Sequence, residues 1–164
     1  MNPVILFGLP GAGKTFAGEI LRSRFGYHIY NGDESLTRAM KQRIDDELPL
    51  TDAMRDEFFT ALIEQVWRLS ETHTRLAVPQ TFIKEKYRQQ FLRAFPDALF
   101  VLVTADDAVR EKRLAERWKL PLGEAYARQL ASLFEPPRIA HRVVTNNANG
   151  EDAITGQLYS MLER

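Results

Sequence analysis

Residues 8–15 combine three glycines with a lysine and a threonine in a spacing suited to phosphate chemistry. They read glycine, four residues, glycine, lysine and threonine, which is the Walker A pattern. Glycines let successive backbone N–H groups point at phosphate oxygens, and a helix that begins at the loop adds the positive end of its dipole. Lys14 would reach the β- and γ-phosphates, and the Thr15 hydroxyl would bind Mg²⁺. The segment therefore predicts a nucleotide site with magnesium.

The residues on either side of this loop predict the strand and helix that would position it. Residues 4–7 form a continuous apolar run, as in a parallel strand buried on both faces. From residue 15 to about residue 25, apolar side chains recur on one helical face, and a glycine follows. The alternative is a glycine turn that matches by chance, and the flanking strand and helix argue against it. The predicted nucleotide site comprises Gly8, Pro10, Gly11, Ala12, Gly13, Lys14, Thr15 and Phe16.

Asp33 lies just past a second predicted strand at residues 28–30, in a cluster of turn-forming residues. The carboxyl ends of parallel strands are where open sheets gather ligands, so Asp33 is expected to face the γ-phosphate. A carboxylate there would accept a proton from a substrate hydroxyl or hold Mg²⁺ through water. The alternative is that Asp33 only caps the next helix.

The rest of the chain alternates predicted strands and helices. Strands alternating with helices imply a parallel sheet with helices on both faces, and 164 residues suit one domain, residues 1–164. The fold class predicted is therefore a three-layer α/β/α arrangement. Its further strands are expected at 75–78, 98–103 and 142–145, and its further helices at 35–47, 52–70, 84–94, 106–119, 121–134 and 152–162.

The composition is that of an ordinary globular protein, with 45% apolar and 27% charged residues. Lysine plus arginine equals aspartate plus glutamate, 22 each, so no overall field draws the chain to nucleic acid or acidic membranes. There is no cysteine, which excludes disulfides and thiolate chemistry. No apolar run approaches the ~18 residues of a membrane span, so a cytoplasmic protein is expected. The histidines, His28, His73 and His141, lack ligand-like spacing and are assigned no role.

Two groups of basic residues are candidates for binding phosphate. Arg110, Arg113 and Arg117 are three and four residues apart and share one helical face, from which they would clamp a transferring phosphoryl group. The alternative is a solvated face paired with Glu111 and Glu116. The same two interpretations apply to Lys84, Lys86 and Arg88.

Nearly end to end, the chain resembles the small-molecule kinases of the gluconate kinase and shikimate kinase group, which have the nucleoside monophosphate kinase fold. Gly32-Asp33 is similar to the Gly-Asp pair after strand two of that group. The other similar segments are Pro-Leu-Thr-Asp-Ala-Met-Arg at 49–55, Lys-Glu-Lys-Tyr-Arg at 84–88, Lys-Arg-Leu-Ala-Glu-Arg at 112–117 and the glutamine-to-proline segment 129–136.

The resemblance implies a five-stranded parallel sheet in the order 2-3-1-4-5, with ATP on the loop and a mobile arginine-bearing lid within about 113–135. It also implies that Arg55 and Lys84 hold the acceptor. Arg113 and Arg117 would belong to the lid, and Arg117 would neutralise charge during transfer. The run Thr145-Asn146-Asn147 would border adenine, which assigns Asn147 to the nucleotide site.

Two segments depart from the gluconate kinases. Their strand-two motif continues Leu-His-Pro, and their lid carries Gly-His-Phe, whereas this chain has Ser35-Leu36-Thr37 and Lys119-Leu120-Pro121 at these places. The phosphate end is thus family-like and the acceptor end altered. Gluconate is therefore not expected to be the preferred acceptor, and the nearest substitutes for the missing histidines are Ser35, Thr37 and Arg38.

Together these patterns predict an ATP- and Mg²⁺-dependent enzyme that moves the γ-phosphoryl group to a hydroxyl of a small molecule, as a monomer or homodimer. Lys14, Asp33 and Arg117 would be catalytic, Thr15 and Asp33 would hold the metal, and neither membrane nor nucleic acid is an expected partner. One alternative is a kinase for a nucleotide or a polynucleotide 5′-hydroxyl. Another is a nucleotide-binding module that regulates a partner without transfer.

Overall fold

A five-stranded, fully parallel sheet forms the centre of the protein. The computed structural model describes residues 2–116, 121–147 and 150–163. The strand order is β2-β3-β1-β4-β5, which confirms the predicted order, and Val4 pairs with both Ala77 and Leu99. The strands are β1 Val4–Phe7, β2 His28–Ile29, β3 Leu76–Pro79, β4 Leu99–Thr104 and β5 Arg142–Thr145.

Helices connect the strands, and the fold follows the expected alternation. A short 3₁₀ helix at Gly32–Ser35 also follows β2. Within the described ranges, no helix is both long and apolar enough to cross a bilayer. The α-helices are α1 Lys14–Phe25, α2 Arg38–Asp45, α3 Asp52–Ser70, α4 Glu85–Ala94, α5 Asp107–Glu116, α6 Pro121–Leu133 and α7 Gly150–Leu162.

The helix predicted at 35–47 is the main error in the secondary structure. Thr37 interrupts it: its backbone is extended, and its side chain accepts a hydrogen bond from the Met40 N–H. An extended residue with a hydroxyl at this position begins a new helix. The segment is therefore a 3₁₀ helix followed by α2. The helix predicted at 106–119 is observed as α5, and residues 117–119 lie outside the described part of the chain.

Two apolar layers cover the two faces of the sheet. Successive residues of β1 alternate between them: Ile5 and Phe7 join one layer, and Val4 and Leu6 the other. The first layer contains Phe58, Leu62 and Val66 of α3, whose four-residue spacing places them on one helical face, and most of the phenylalanines. The second layer holds α1 and α7 against the sheet. The sheet is thus buried on both faces, which explains the continuous apolar run in β1.

Glu47, between α2 and α3, is expected to cost stability. Its φ of 59° is left-handed, a conformation that suits glycine, and one carboxylate oxygen is buried without a hydrogen-bond partner among the described residues. Glu47→Gly removes both defects. Glycine also increases the conformational entropy of the unfolded chain, which offsets part of the gain. We expect a net gain of about 1 kcal/mol, or about 2 to 4 °C in Tm. Thermal melts of the two proteins test this, and a lower Tm for the variant would contradict it.

Candidate functional site

The phosphate loop lies between β1 and α1, in contact with two other strand ends. Gly13, just before α1, has a left-handed backbone with φ of 96°, and a Cβ added there would overlap the side-chain nitrogen of Asn146. A Cβ added at Gly8 would overlap the carbonyl oxygen of Val103 in β4. Glycine is therefore required at both positions, and the loop leads directly into the N-terminus of α1, where backbone N–H groups and the helix dipole favour an anion. The residues present fit a nucleotide phosphate.

Lys14 extends back over the loop. Its ammonium donates hydrogen bonds to the carbonyl oxygens of Gly8 and Leu9, at 2.9 and 3.1 Å. Thr15 and Phe16 follow in the first turn of α1, and both are exposed. Their predicted contacts with Mg²⁺ and the nucleotide stay predictions. In the described part of the chain, no group of three or more His, Asp or Glu side chains is placed to hold a metal ion.

Arg113 holds the loop from the side of α5. Its guanidinium donates to the carbonyl oxygens of Gly11 at 3.1 Å and Ala12 at 3.3 Å, and to that of Asn146 at 2.6 Å. Asn146, which is buried, completes the link with a 3.1 Å bond from its side-chain amide to Ala12. Arg113 therefore does not follow the alternative interpretation, in which it would pair with Glu111 and Glu116 on a solvated face. In this structure Arg113 supports the loop, and its role as a lid residue stays a prediction.

Other residues near this edge of the sheet have smaller roles. Arg110 pairs with Asp107 in the first turn of α5, and its side chain is largely buried. Asn147 accepts a 2.8 Å bond from the backbone N–H of Asp106, which joins the end of β5 to the start of α5. The proposed contact of Asn147 with the nucleotide is untested. Arg117, the predicted catalytic cation, lies outside the described residues.

Asp33 is in the 3₁₀ helix that follows β2. Asn31 fixes this turn by accepting a 3.0 Å bond from the Asp33 N–H. Thr37, not Asp33, caps α2, so the capping alternative for Asp33 is not supported. Asp33 is exposed at the rim of the cavity, but the protein around its carboxyl displaces enough water to raise the pKa of that group, and the charges of Lys14 and Lys41 oppose this shift. Asp33 therefore lies within electrostatic reach of the phosphate loop, and its carboxylate binds a proton more readily than one in water.

A cavity of about 380 Å³ opens beside Asp33, in the size range of small-molecule sites. Arg55 lines it from α3 and is 8% exposed; its guanidinium is 3.4 Å from the exposed Asp52 carboxylate. Gly32 places the 3₁₀ helix against Gln80, because a Cβ there would be 2.5 Å from the Gln80 side-chain oxygen. The structure thus brings together two of the predicted substrate residues, Asp33 and Arg55. The polar lining residues are Asp33, Lys41, Asp45, Arg55, Gln80 and Thr81.

Lys84, the third predicted substrate residue, does not line the cavity in the described structure; it precedes α4 and is half-buried. The buried cation of this segment is Arg88, which is fully buried and pairs with Glu85 at 2.7 Å. Arg88 also donates to the carbonyl oxygens of Phe82 and Glu135, at 2.9 and 2.8 Å. The three-residue spacing of Glu85 and Arg88 on one helix was the only sequence signal for this pair.

The suggested substitutes for the missing histidines are engaged elsewhere. Ser35 hydrogen-bonds to the Tyr30 hydroxyl at 2.5 Å, and Thr37 caps α2. Arg38 is exposed, and among the described lining residues none of the three appears. The suggestion that they compensate at the acceptor site therefore gains no support from this conformation and stays a prediction.

Comparisons with known proteins agree with the fold. The family described as AAA domain matches residues 4–137. A Xenopus tropicalis protein named "Probable gluconokinase" is 22% identical over 156 residues, 86% of this chain and 82% of its own. The structure of a gluconokinase from Sinorhizobium meliloti 1021 superposes with a TM-score of 0.79 at 22% identity, over 99% of this chain and 94% of its own. A sugar kinase from Janibacter sp. HTCC2649 gives 0.84 at 16% identity, over 99% and 95%. Because the family match spans most of the chain, the protein belongs to the AAA domain family and has the P-loop kinase fold.

Proposed function

We propose that the protein is an ATP-dependent phosphotransferase that moves the γ-phosphoryl group to a hydroxyl of a small molecule bound in the 380 Å³ cavity. The observation that carries this proposal is the position of Asp33. Asp33 lines the cavity, and its carboxyl interacts electrostatically with Lys14 of the phosphate loop. A single carboxylate therefore lines the cavity and interacts with the lysine of the predicted phosphate site. Similarity to proteins named gluconokinase supports the same reaction class.

The residues divide the work as follows. Asp33 accepts the proton of the acceptor hydroxyl as that oxygen forms its bond to phosphorus and the bond between phosphorus and ADP breaks. Lys14 and the loop N–H groups stabilise the charge on the phosphoryl oxygens, and Arg55 orients the acceptor. Thr15 and Asp33 would hold Mg²⁺, which would supply charge neutralisation at the phosphates. Nucleotide contacts from Arg113 and Asn147, acceptor contact from Lys84 and charge neutralisation by Arg117 are further parts of the proposal.

A nucleoside 5′-hydroxyl is the second candidate acceptor. The cavity wall includes Phe58, Phe59 and Phe82, and aromatic side chains are surfaces on which a base stacks. Balanced net charge gives no electrostatic attraction for a polynucleotide, so a free nucleoside or nucleotide is favoured within this alternative.

Lys14→Ala tests nucleotide binding. A ligand bound only by the native state adds RT ln(1 + [L]/Kd) to the free energy of unfolding, about 2.7 kcal/mol at 100 Kd. We expect this stabilisation for the wild type with ATP and Mg²⁺, and its loss in Lys14→Ala. Because Lys14 also bonds to Gly8 and Leu9, each variant is compared with its own nucleotide-free melt. Lys112→Ala, at an exposed position of α5, is the control. No shift for the wild type up to millimolar ATP would refute the proposal.

A further inference from the structure

The wall of the acceptor cavity is more apolar than a polyhydroxylated substrate requires. Its apolar and aromatic lining comes from α2, α3, α6 and the segment after β3, so that several elements contribute to one continuous wall. A hydroxyl that faces such a wall has no partner, which weakens binding by roughly 5- to 150-fold for each group. A methylene in the same place strengthens binding by about fourfold. The wall includes Ile44, Phe58, Phe59, Phe82, Tyr126 and Leu130.

Backbone strain at Phe82 gives a second, independent observation. Its φ of 48° is left-handed, which is rare for a bulky residue, and strained residues cluster at ligand sites. Arg88 stabilises this conformation, because its guanidinium donates a hydrogen bond of 2.9 Å to the Phe82 carbonyl oxygen. The ring packs against Phe59 and Phe100, with centroids 4.8 and 5.5 Å apart. The fold thus tolerates an unfavourable backbone that keeps an aromatic ring in the cavity wall.

Four of the six polar lining residues carry charge, and Gln80 and Thr81 are the neutral ones. Asp33 lines the cavity, and its carboxyl interacts with the charge of Lys14. Arg55 is a buried cation whose one ion-pair partner in the described structure, Asp52, is exposed. Burial raises the pKa of the Tyr126 hydroxyl, while the charge of Arg55 lowers it and that of Asp33 raises it. Tyr126 therefore interacts with both charged groups. The cavity therefore combines a proton acceptor beside the phosphate loop, a buried cation for an anionic group and a continuous apolar wall.

We infer that the acceptor is an amphipathic alcohol. Its reacting hydroxyl lies at Asp33, its apolar chain or ring lies against the wall that includes Phe59 and Phe82, and an anionic group lies toward Arg55. This inference rests on the proposed function and deepens it by naming the class of acceptor. It excludes acceptors that carry hydroxyls along the whole chain or ring, gluconate included.

Two matched pairs of compounds test the inference. Gluconate is compared with 6-hydroxyhexanoate, which has the same carbon chain, terminal hydroxyl and carboxylate but no other hydroxyls. Shikimate is compared with 3-hydroxycyclohex-1-ene-1-carboxylate, which keeps the ring double bond, the carboxylate and one hydroxyl. Binding is measured by titration calorimetry with the ATP analogue AMPPNP and Mg²⁺ present, and turnover is measured as acceptor-dependent ADP formation. We expect the less hydroxylated member of each pair to bind at least tenfold more tightly.

The outcomes separate the inference from the proposed function. If a hydroxylated compound binds as tightly as its partner in either pair, or if none of the four binds, the inference is overturned. If the less hydroxylated compounds bind but none is phosphorylated, the inference about the cavity stands and the proposed transfer fails. If gluconate is phosphorylated with the higher kcat/KM, transfer stands and the inference fails.

A pair of variants on α6 tests the wall itself. Leu130 lines the cavity, whereas Leu133, one turn further along the helix, is half-buried and does not line it in the described structure. Leu130→Gln is expected to reduce the preference for 6-hydroxyhexanoate over gluconate about fivefold or more, and Leu133→Gln to leave it unchanged. Ile44→Thr serves the same purpose if Leu130→Gln does not fold. An unchanged preference in the folded wall variant would overturn the inference.

Discussion

Asp33→Asn is expected to abolish acceptor phosphorylation, with kcat reduced by about 10²- to 10⁴-fold, while ATP still binds. The amide has the size of the carboxylate but cannot take the acceptor proton. ATP-dependent stabilisation is measured by thermal melts, and transfer by ADP formation with the best acceptor. Glu34→Gln is the matched control, because Glu34 adjoins Asp33 in the same 3₁₀ helix, is likewise exposed and lies outside the acceptor cavity.

The same substitution is expected to make the ligand-free protein more stable at neutral pH. Loss of water around the carboxyl raises the pKa of Asp33 in the folded state, so its contribution to stability is fully present below the unfolded-state pKa of 3.8. That contribution is lost as pH rises through the folded-state pKa. Asparagine is uncharged at every pH, so its contribution to stability does not change with pH. The difference in stability between Asp33→Asn and wild type should therefore be small in acid and grow toward neutral pH.

These two readouts together identify a functional carboxylate. Substitution of a residue with only a structural role would lower the stability of the protein and would change turnover only through folding. Turnover of the variant at the wild-type rate would show that Asp33 takes no proton, and a stability difference that shrinks with rising pH would contradict the raised pKa. The first result would remove Asp33 from the proposed transfer step, and the second would leave that step untouched.

The fold was predictable because its signals are local and mutually consistent. The continuous apolar run of β1 and the loop that follows it, ending at Gly13, fix the first strand, the phosphate loop and α1 with no information from distant residues. The strand order came from the resemblance, since periodicity does not say which strands are neighbours. The division of the predicted helix at 35–47 was missed because Thr37 is an ordinary polar residue by sequence. Only its extended backbone and its bond to Met40 make it a cap.

The site was harder to predict, because several of its contacts join residues that are far apart in sequence. Arg113 bonds to Gly11 and Ala12 across about a hundred residues, and the sequence alone offered only a charged helical face. Arg88 belongs to the same basic segment as Lys84, yet one is fully buried beneath the cavity wall and the other lies outside the lining. Which of two nearby cations is buried depends on tertiary packing, which a charge pattern does not encode.

Gly13→Ala is expected to prevent nucleotide binding, because three parts of the chain meet at this residue. The added methyl group would overlap the Asn146 amide, which bonds to the Ala12 carbonyl, and it would lie 3.8 Å from the Arg113 guanidinium. The left-handed backbone costs about 1 to 2 kcal/mol for alanine, and an unpaired buried amide costs about 1 to 3 kcal/mol. The free energy of unfolding should therefore fall by about 2 to 5 kcal/mol.

Gly26→Ala separates the two causes. Gly26 ends α1 with φ of 71°, so alanine has a similar backbone penalty there, but nothing lies within 4 Å of its added Cβ. We expect a loss of about 1 to 2 kcal/mol and unchanged ATP-dependent stabilisation in this variant. The double variant Gly13→Ala, Asn146→Ala removes the overlapping nitrogen and should recover part of the nucleotide binding. Chemical denaturation gives the free energies, and melts with ATP and Mg²⁺ give binding. If Gly13→Ala bound ATP as well as Gly26→Ala does, the close packing of Asn146 against the loop would have no part in forming the nucleotide site.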